Sequence, residues 1–374
     1  MLKKIIDIIQ NEGILGVFNK CLLQILGFFF KKNETIWIFG EAGGKQFLSN
    51  SKYLFLYIIK YQKKIRPIWF TKKRDIVKEI NDLGGEAYIF NSLKALYFGL
   101  IAKVYIHSYG RDDILNYSLK NAIFINLYHG MVIKKLKKYY RKDDLDIASS
   151  DFFIQVRRNI FPEIKKIAVT GEPRYDIFFS KVNKVRILKK YHLERYIDKK
   201  IISYLPTHRK YRDTYKPLFQ EFKNIIKLKD VIIFDKSHPR EKNLAKDIFP
   251  NYNNVVNISD LYIDTQELLS ITNILITDYS SCFVDFILTE RPVIFYAYDL
   301  KEFTEKNGFY VDYKKNVPGK ICYNENELYN CIQAYLKYPE LDYRKRIQGK
   351  KRFHKYYDGN SSERVYQEIM KLLN

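Results

Sequence analysis

The sequence predicts an α/β protein in which two Rossmann-like domains stand in tandem behind an amphipathic helical segment. Short apolar, β-branched runs alternate with helical or loop segments along most of the chain, which is typical of a mostly parallel sheet. A polar stretch at 181–200 divides these runs into two series. A length of 374 residues suits two domains that each bury a core.

The first segment, residues 1–32, contains two predicted helices broken by a Glu-Gly pair. Each combines a wide apolar face with a narrow basic edge, and three phenylalanines at 28–30 precede two lysines. This pattern favours a helix that lies in a membrane interface. The alternative is a helix packed on the sheet that follows. We expect this segment to associate with an anionic membrane surface.

The two α/β domains are predicted to occupy residues 33–185 and 186–374. Each begins with a series of apolar runs that read as strands, and the second ends in a helical tail. The predicted strands of the first domain are 35–39, 67–70, 87–90, 103–107, 122–127 and 167–170, and those of the second are 201–205, 231–234, 255–258, 274–277 and 293–295.

The composition indicates a globular protein with anionic partners. Hydrophobic residues make up 47% of the chain, and 65 Lys and Arg residues against 42 Asp and Glu give a net charge of +23. Nucleic acid, an anionic membrane and a phosphate-rich substrate would each fit this charge. The four cysteines are scattered and there is no signal-peptide pattern, so we expect core cysteines in a reducing compartment.

Residues 273–298 are the most informative stretch. An apolar run ends in the polar turn DYSS (278–281), a helical segment follows, and a second apolar run completes a βαβ unit. Such turns lie where parallel sheets bind ligands. The free N–H groups and hydroxyls of Ser280 and Ser281 suit a pyrophosphate. The alternative is that Asp278 and the serines only cap the helix.

Five further polar clusters each follow a predicted strand. They are YHG (128–130) with the basic run after it, GEPRYD (171–176), PTHR (206–209), SHPR (237–240) and GFY (308–310). Together with LITDYSS (275–281) and IFYAYDL (294–300), their order and spacing resemble the CDP-glycerol glycerophosphotransferase family of wall teichoic acid and capsule synthesis. The resemblance extends from about residue 123 to the C terminus. Met131 and Val132 replace the family's usual Thr-Pro, and His208 replaces a usual aromatic residue.

The resemblance implies a glycosyltransferase B-type fold whose second domain holds the donor nucleotide. It implies an enzyme that transfers glycerol phosphate, or a related alditol phosphate, from CDP-glycerol to a hydroxyl of a lipid-linked or polymeric anionic glycan, releasing CMP. It also implies a peripheral enzyme on the cytoplasmic face of the bacterial membrane. Which alditol is transferred, and whether one unit or many, stays open.

The same resemblance assigns the site residues. His129 is the expected general base, because a neutral histidine can accept the proton of the acceptor hydroxyl, and His238 is expected at the attacked β-phosphate. The alternative for each histidine is a structural role in the turn that carries it. The alternative for Arg174 is an ion pair with Asp176. The alternative for the basic run is a solvated helix face. The donor is assigned to Thr207, Arg209, Arg240, Asp278, Ser280 and Ser281, and the acceptor to Gly130, Lys134, Lys135 and Arg174.

We expect no metal and no other cofactor, with cationic side chains and helix N–H groups holding the phosphates. The carboxylate pairs at 112–113 and 143–144 have no histidine nearby in sequence and are interpreted as loop charges. A nucleotide-sugar glycosyltransferase of the same fold is the alternative, although such enzymes more often place a glutamate near the donor ribose. A nucleic-acid-binding protein is less favoured, because no recognition helix, RNA-binding strand motif or zinc finger is present.

Overall fold

The computed structural model describes residues 29–114, 121–131, 133–207, 228–237 and 253–374. These residues form two parallel β-sheets with helices packed on their faces, as the sequence predicted. The predicted amphipathic helices of residues 1–32 lie almost entirely outside the described residues, and the membrane association expected of them stays a prediction.

The first sheet has seven strands in the order β3-β2-β1-β4-β5-β6-β7, all parallel. Its central strands are buried on both faces, which explains their continuous apolar sequences. The strands are β1 (Asn33–Phe39), β2 (Arg66–Thr71), β3 (Glu86–Ile89), β4 (Ala102–His107), β5 (Ile123–Asn126), β6 (Leu145–Ala148) and β7 (Lys166–Val169).

The second sheet has six strands in the order β10-β9-β8-β11-β12-β13, again all parallel. Every strand predicted in both domains is present. The strands are β8 (Lys200–Leu205), β9 (Val231–Asp235), β10 (Val255–Asn257), β11 (Ile274–Thr277), β12 (Val293–Tyr296) and β13 (Lys320–Cys322).

Twelve α-helices connect or follow these strands within the described residues. They are α1 (Ser49–Tyr61), α2 (Arg74–Asp82), α3 (Leu93–Ile101), α4 (Asp151–Ile160), α5 (Lys184–Lys190), α6 (Thr265–Ile271), α7 (Cys282–Phe286), α8 (Leu300–Lys306), α9 (Tyr313–Asn316), α10 (Glu325–Lys337), α11 (Tyr343–Phe353) and α12 (Ser361–Met370). None of the described helices is both long and apolar enough to span a membrane.

Each sheet reverses its strand order at one point. In the first sheet β1 lies between β2 and β4, and in the second β8 lies between β9 and β11. A reversal of this kind opens a crevice at the carboxyl ends of the two adjacent strands, where ligands of open α/β sheets bind. The residues that follow β1, β4, β8 and β11 therefore border the expected site.

The two sheets share a continuous apolar core. One buried cluster includes Met131 and Phe153 from the first half of the chain together with Phe283 and Phe353 from the second. Met131, which departs from the family pattern, is thus a core residue and is 1% exposed. Because one core joins the two halves, they pack directly on each other.

The last helix, α12, packs on the first sheet. Val365 and Ile369 are buried in the same cluster as Trp37 of β1 and Leu54 of α1. The cap of this helix comes from the first domain: the Asp176 carboxylate accepts hydrogen bonds from the backbone N–H groups of Ser361 and Ser362, each 2.8 Å long. The N-terminus of α12 is therefore capped by a side chain that lies 185 residues earlier in the sequence.

The interpretation of the paired carboxylates as loop charges was wrong for two of them. Asp113 and Asp143 are both buried. Asp143 lies 3.4 Å from His107 Nε2 and 3.2 Å from the Arg111 guanidinium. The three described cysteines, Cys282, Cys322 and Cys331, are buried and form no disulfide.

Candidate active site

Two turns, one from each domain, meet at the cleft between the sheets. The first follows β5 and carries His129 and Gly130, and the second follows β11 and carries Ser280 and Ser281. A Cβ atom placed on Gly130 would lie 2.8 Å from Ser281 Oγ. Only a glycine allows this approach without displacing the serine. The predicted catalytic turn and the predicted pyrophosphate turn are therefore in direct contact.

His129 packs against two aromatic rings. Its imidazole stacks on Tyr109, which follows β4, with the ring centroids 4.1 Å apart and the planes nearly parallel. The ring of Tyr128, a residue with a positive φ of 53°, lies 4.2 Å from it in a tilted arrangement. Burial lowers the pKa of His129 to about 3, with help from the positive charge of Arg174 and against a hydrogen bond to the Ser108 backbone, so the ring is neutral near pH 7. Its Nδ1 is buried with no hydrogen-bond partner among the described residues.

Arg174 fixes the backbone of the catalytic turn. Its Nη1 donates to the His129 carbonyl over 2.7 Å, and its Nη2 lies 2.9 Å from Asp285 in α7 and 2.5 Å from Glu172. Arg174 therefore does not use Asp176 as its partner. Burial and the neighbouring Glu172 raise the pKa of Asp285 to about 7, against the lowering effect of Arg174. The buried cluster thus ties the two domains together beneath the site.

Asn50, at the start of α1, joins two of the sequence motifs. Its amide nitrogen donates to the carbonyls of Leu127 and Tyr128, over 3.1 and 3.0 Å. Its side-chain oxygen accepts a hydrogen bond from the backbone N–H of Arg174 over 3.2 Å. Asn50 is fully buried. Sequence reasoning missed it because it lies in the first part of the chain, far from the motifs it supports.

On the second domain, Asp278 organises the ends of the two central strands. Its carboxylate accepts hydrogen bonds from the Thr207 N–H, at 2.8 Å, and from the Tyr279 N–H. The Tyr313 hydroxyl donates to its carbonyl over 2.9 Å. Asp278 is 2% exposed and Thr207 is 6% exposed. Both were predicted to bind the donor, and the structure places them at the base of the turn that bears Ser280 and Ser281.

Ser280 and Ser281 are half-buried and line the cleft. Ser281 precedes α7 but makes no side-chain capping bond, and Ser280 Oγ receives only a long 3.5 Å contact from the Cys282 N–H. Capping therefore does not account for these serines. All five residues of this helix, α7, are buried.

The cleft encloses a cavity of about 430 Å³ that brings predicted and unpredicted residues together. His129, Arg174, Ser280 and Ser281 had been singled out from the sequence. The other polar and charged residues that line it are Glu41, Gln46, Ser49, Tyr109, Lys236, Ser237, Ser259, Tyr262, Asp264, Thr265, Gln266 and Asp285. Glu41, Tyr109 and Lys236 lie just beyond β1, β4 and β9, at positions that no motif in the sequence marked.

Lys236 is a positively charged residue of this cavity that was not predicted from the sequence. It follows β9, and its backbone N–H bonds to the Tyr204 carbonyl of β8 over 2.9 Å. Burial lowers its pKa, and the nearby Asp264 opposes that shift. An ammonium group in this position can neutralise an anionic ligand held by Ser280 and Ser281.

The basic run that follows the catalytic turn has an extended backbone and is not the solvated helix that was the alternative from the sequence. Lys134 pairs with Phe309 in an antiparallel bridge, and the Lys135 N–H donates to the Gly308 carbonyl over 3.1 Å. This part of the run is therefore tied to the second domain by a single backbone bridge. Lys135 points to a second cavity of about 910 Å³, separate from the one that contains His129, whose rim also includes Lys301 and Lys314.

Three predicted site residues, Arg209, His238 and Arg240, lie outside the described residues, and their roles stay predictions. No group of three or more His, Cys, Asp or Glu residues in the described part of the chain is arranged to hold a metal ion. Metal-independent chemistry likewise stays a prediction.

Comparison with known proteins gives one consistent result. The family model of CDP-glycerol:poly(glycerophosphate) glycerophosphotransferase matches residues 22–371. The chain is 27% identical over 408 residues to a teichoic acid poly(glycerol phosphate) polymerase of Bacillus spizizenii, covering 96% of this chain and 100% of the relative. It is 28% identical over 368 residues to a teichoic acid glycerol-phosphate transferase of Staphylococcus aureus, covering 91% and 94%.

Among solved structures, the fold resembles that of the wall teichoic acid polymerase TagF. The TM-score is 0.77 at 23% identity, and the match covers 95% of this chain and 94% of the other. This similarity supports the two-domain fold predicted from the sequence.

Proposed function

Because this chain belongs to the CDP-glycerol:poly(glycerophosphate) glycerophosphotransferase family, we propose that it transfers glycerol phosphate from CDP-glycerol to a hydroxyl of a glycan acceptor and releases CMP. The observation that carries this proposal is the contact between the two turns. A neutral His129 lies on the first turn, next to the Gly130 that touches Ser281 of the second turn, and it lines the same cavity as Ser280 and Ser281. An attacking hydroxyl and the phosphorus it attacks can meet there.

In the proposed reaction His129 is the general base. The acceptor oxygen forms a bond to the β-phosphorus of CDP-glycerol, and the bond between that phosphorus and the bridging oxygen breaks. The bridging oxygen leaves with the electron pair as part of CMP, and His129 takes the proton of the acceptor hydroxyl. Because the imidazole stacks on Tyr109 and also contacts Tyr128, the ring is already oriented before the acceptor arrives.

The donor pyrophosphate is proposed to lie against the second domain. Ser280 and Ser281 offer hydroxyl and N–H donors, and Lys236 adds a positive charge to the same cavity. Asp278 positions this turn through its bonds to Thr207 and Tyr279. His238, Arg209 and Arg240 would complete the charge stabilisation, as the family resemblance implies.

The acceptor is proposed to approach from the first domain. Gly130 leaves space beside Ser281, and Arg174 holds the His129 carbonyl. Lys134 and Lys135 continue from this turn towards the second cavity, where Lys301 and Lys314 add positive charge. A polyanionic glycan chain, lipid-linked or already polymerised, suits this basic path.

We further propose that the enzyme works at the cytoplasmic face of the membrane as a peripheral protein. The support is the sequence of residues 1–32, whose apolar faces and basic edges suit an anionic lipid surface.

The proposed function is tested by incubating the purified protein with CDP-glycerol, CDP-ribitol and several nucleotide sugars, with and without a glycerol-phosphate-ended acceptor. Acceptor-dependent CMP release from CDP-glycerol is the expected result, and it should survive EDTA. If the protein released a nucleotide only from a nucleotide sugar, the proposed function would be wrong, although the description of the fold would still hold. Parallel reactions with His129→Ala serve as the control for a contaminating hydrolase.

A further inference from the structure

Glu41 is a carboxylic acid in the catalytic cavity that the proposed reaction has not used. It lies just beyond β1, at the strand-order reversal of the first sheet. Its side chain is fully buried, and it lines the same cavity as His129. Neither of its carboxylate oxygens makes a hydrogen bond of good geometry to a described residue, although the hydroxyls of Ser51 and Ser108 lie near enough to act against the rise of its pKa. Buried polar groups nearly always make such a bond, so this carboxyl group is expected to bind something that enters the cavity.

The neighbouring Asp113 is a carboxylate with a structural role, and its contacts can be compared with those of Glu41. Its two oxygens accept four backbone N–H bonds, from Gly43 at 2.7 Å, Ser108 at 3.0 Å, Tyr109 at 2.7 Å and Gly110 at 3.4 Å. Asp113 thereby fixes the loops after β1 and β4. The Glu41 carbonyl accepts a hydrogen bond from the Gly44 N–H over 2.9 Å, but its side-chain oxygens accept none from the backbone of those loops, so stabilising the loops does not explain the carboxyl group.

The surroundings of Glu41 favour a neutral ligand. Burial, reinforced by the negative charge of Asp113, raises the pKa of Glu41 well above its usual value. The hydroxyls of Ser51 and Ser108, which are 2.8 Å apart, also lie close to it. An anionic phosphate would be repelled by a carboxylate, whereas an alcohol can hydrogen-bond to the carboxyl group in either protonation state.

Glu41 also lies on the acceptor side of the cavity. Tyr109, which stacks on His129, follows β4, and β4 is the direct neighbour of β1 in the sheet. Ser280, Ser281 and Lys236 approach the cavity from the second domain. An alcohol bound by Glu41 would therefore belong to the molecule whose hydroxyl His129 deprotonates.

We propose that Glu41 determines acceptor specificity by binding the hydroxyl next to the one that attacks. The site would then select acceptors that end in a polyol with neighbouring hydroxyls, such as a terminal glycerol phosphate. This inference rests on the proposed function, because it assumes that the attacking group is the end of a phosphoglycerol unit.

The test compares two soluble acceptor analogues built on one alkyl alcohol. One ends in glycerol phosphate, and the other ends in propane-1,3-diol phosphate, which lacks only the secondary hydroxyl. Their dissociation constants are measured by calorimetry on the full chain in the presence of CDP, for the wild type, Glu41→Ala, Glu41→Gln and a control. The control is Glu163→Gln, because Glu163 is exposed and outside the cavity.

We expect the wild type and the control to bind the glycerol-ended analogue at least about tenfold more tightly, since a missing hydroxyl leaves a buried polar group unpaired. In Glu41→Ala the ratio should fall to about one, and Glu41→Gln should be intermediate because its amide oxygen still accepts a hydrogen bond. A purely structural role for Glu41 would weaken the binding of both analogues and leave their ratio unchanged.

The inference is overturned if wild-type protein binds the two analogues equally or binds neither, or if Glu41→Ala keeps the wild-type ratio. The proposed function is judged separately, by CMP release from CDP-glycerol in the wild type. A wild type that releases CMP without a binding preference refutes only the role of Glu41. A wild type that shows the preference but no CMP release refutes only the proposed reaction.

Discussion

Gly130 in the first domain and Ser281 in the second approach each other so closely that any side chain at position 130 would displace the serine. An added Cβ would lie 2.8 Å from the serine Oγ and 3.4 Å from its Cβ. The catalytic turn and the donor turn therefore set each other's position. The geometry of the site depends on this contact together with the Arg174–Asp285 ion pair beneath it.

Gly130→Ala should lower kcat/KM by about tenfold or more while the protein remains folded. The added methyl group must displace Ser281, and overpacking of this kind costs about 1–3 kcal/mol. Steady-state CMP release and the melting temperature are the measurements.

Gly110→Ala is the matched control for that change. Its backbone is extended at φ 166°, and an added Cβ would meet only the end of the flexible Arg141 side chain, at 3.3 Å. We expect near-normal turnover from this variant. Equal rates for the two alanine variants would show that the contact between Gly130 and Ser281 has no catalytic importance.

His129→Ala should lower turnover by about 100- to 10,000-fold, the usual contribution of a general base. Circular dichroism and the melting temperature would show that the fold persists. His238→Ala is expected to do the same, because the family resemblance places it at the attacked phosphate. A folded variant with near-normal CMP release would remove the substituted histidine from the mechanism.

The pH dependence should differ between the free enzyme and its donor complex. Since the pKa of His129 is lowered to about 3, the ring is neutral in the free enzyme throughout the physiological range, and its protonation should not limit kcat/KM above about pH 4. Bound phosphate charges favour the imidazolium form and raise this pKa. The acidic limb of kcat should therefore lie at higher pH than that of kcat/KM. Acidic limbs at the same pH in both profiles would contradict this.

His354 should make the protein sensitive to acid. It is buried, its Nε2 bonds to the Val284 carbonyl over 2.7 Å, and burial lowers its pKa to about 3. Below the unfolded pKa of about 6.5, the unfolded chain binds a proton that the native protein does not, so stability falls as the pH decreases from about 6.5 towards 3. Between pH 6.5 and 5 this amounts to about 2 kcal/mol.

His354→Gln tests this effect, because the amide can keep a donor near the Val284 carbonyl. We expect the free energy of unfolding of the variant to change less than that of the wild type between pH 6.5 and 5. Denaturant titrations at the two pH values provide the comparison. Parallel curves for the two proteins would exclude His354 as the source of acid sensitivity.

The ion pair between Lys52 and Asp264 should stabilise the association of the two domains. Lys52 Nζ, in α1, lies 2.6 Å from Asp264 and 3.1 Å from Glu267, and Lys52 and Asp264 are both buried. Breaking a buried pair leaves an uncompensated charge and costs about 3–5 kcal/mol. Lys52→Met should therefore unfold at markedly lower denaturant concentration.

The matched control is Lys199→Met, because Lys199 pairs with Asp230 over 3.2 Å at the surface. Exposed pairs contribute about 0–1 kcal/mol. Similar losses in the two variants would show that the pair between the domains has no special importance.

The sequence alone predicted most of the fold because buried parallel strands are continuous apolar runs. Two strands were not predicted from the sequence. β6 has the sequence LDIA, in which the buried Asp146 breaks the apolar pattern, and β13 is a three-residue edge strand with one buried residue. Both are defined by pairing with a neighbouring strand rather than by their own composition.

For the site, the sequence identified the residues that lie in recognisable motifs, including His129, Arg174, Ser280 and Ser281. It did not identify Glu41, Asn50 or Lys236, which lie outside any motif and become significant only because the ends of the strands converge.

The sequence by itself determined the two α/β folds and the order of the polar turns, because these follow from local patterns and their spacing, and the resemblance of its motifs to a known family implied the class of chemistry. Only the tertiary structure decided that Gly130 contacts Ser281, that Asp176 caps α12, and that the Glu41 carboxyl group is buried without a well-formed hydrogen bond to a described residue. These relationships join residues far apart in the chain, and they depend on how two sheets pack against each other.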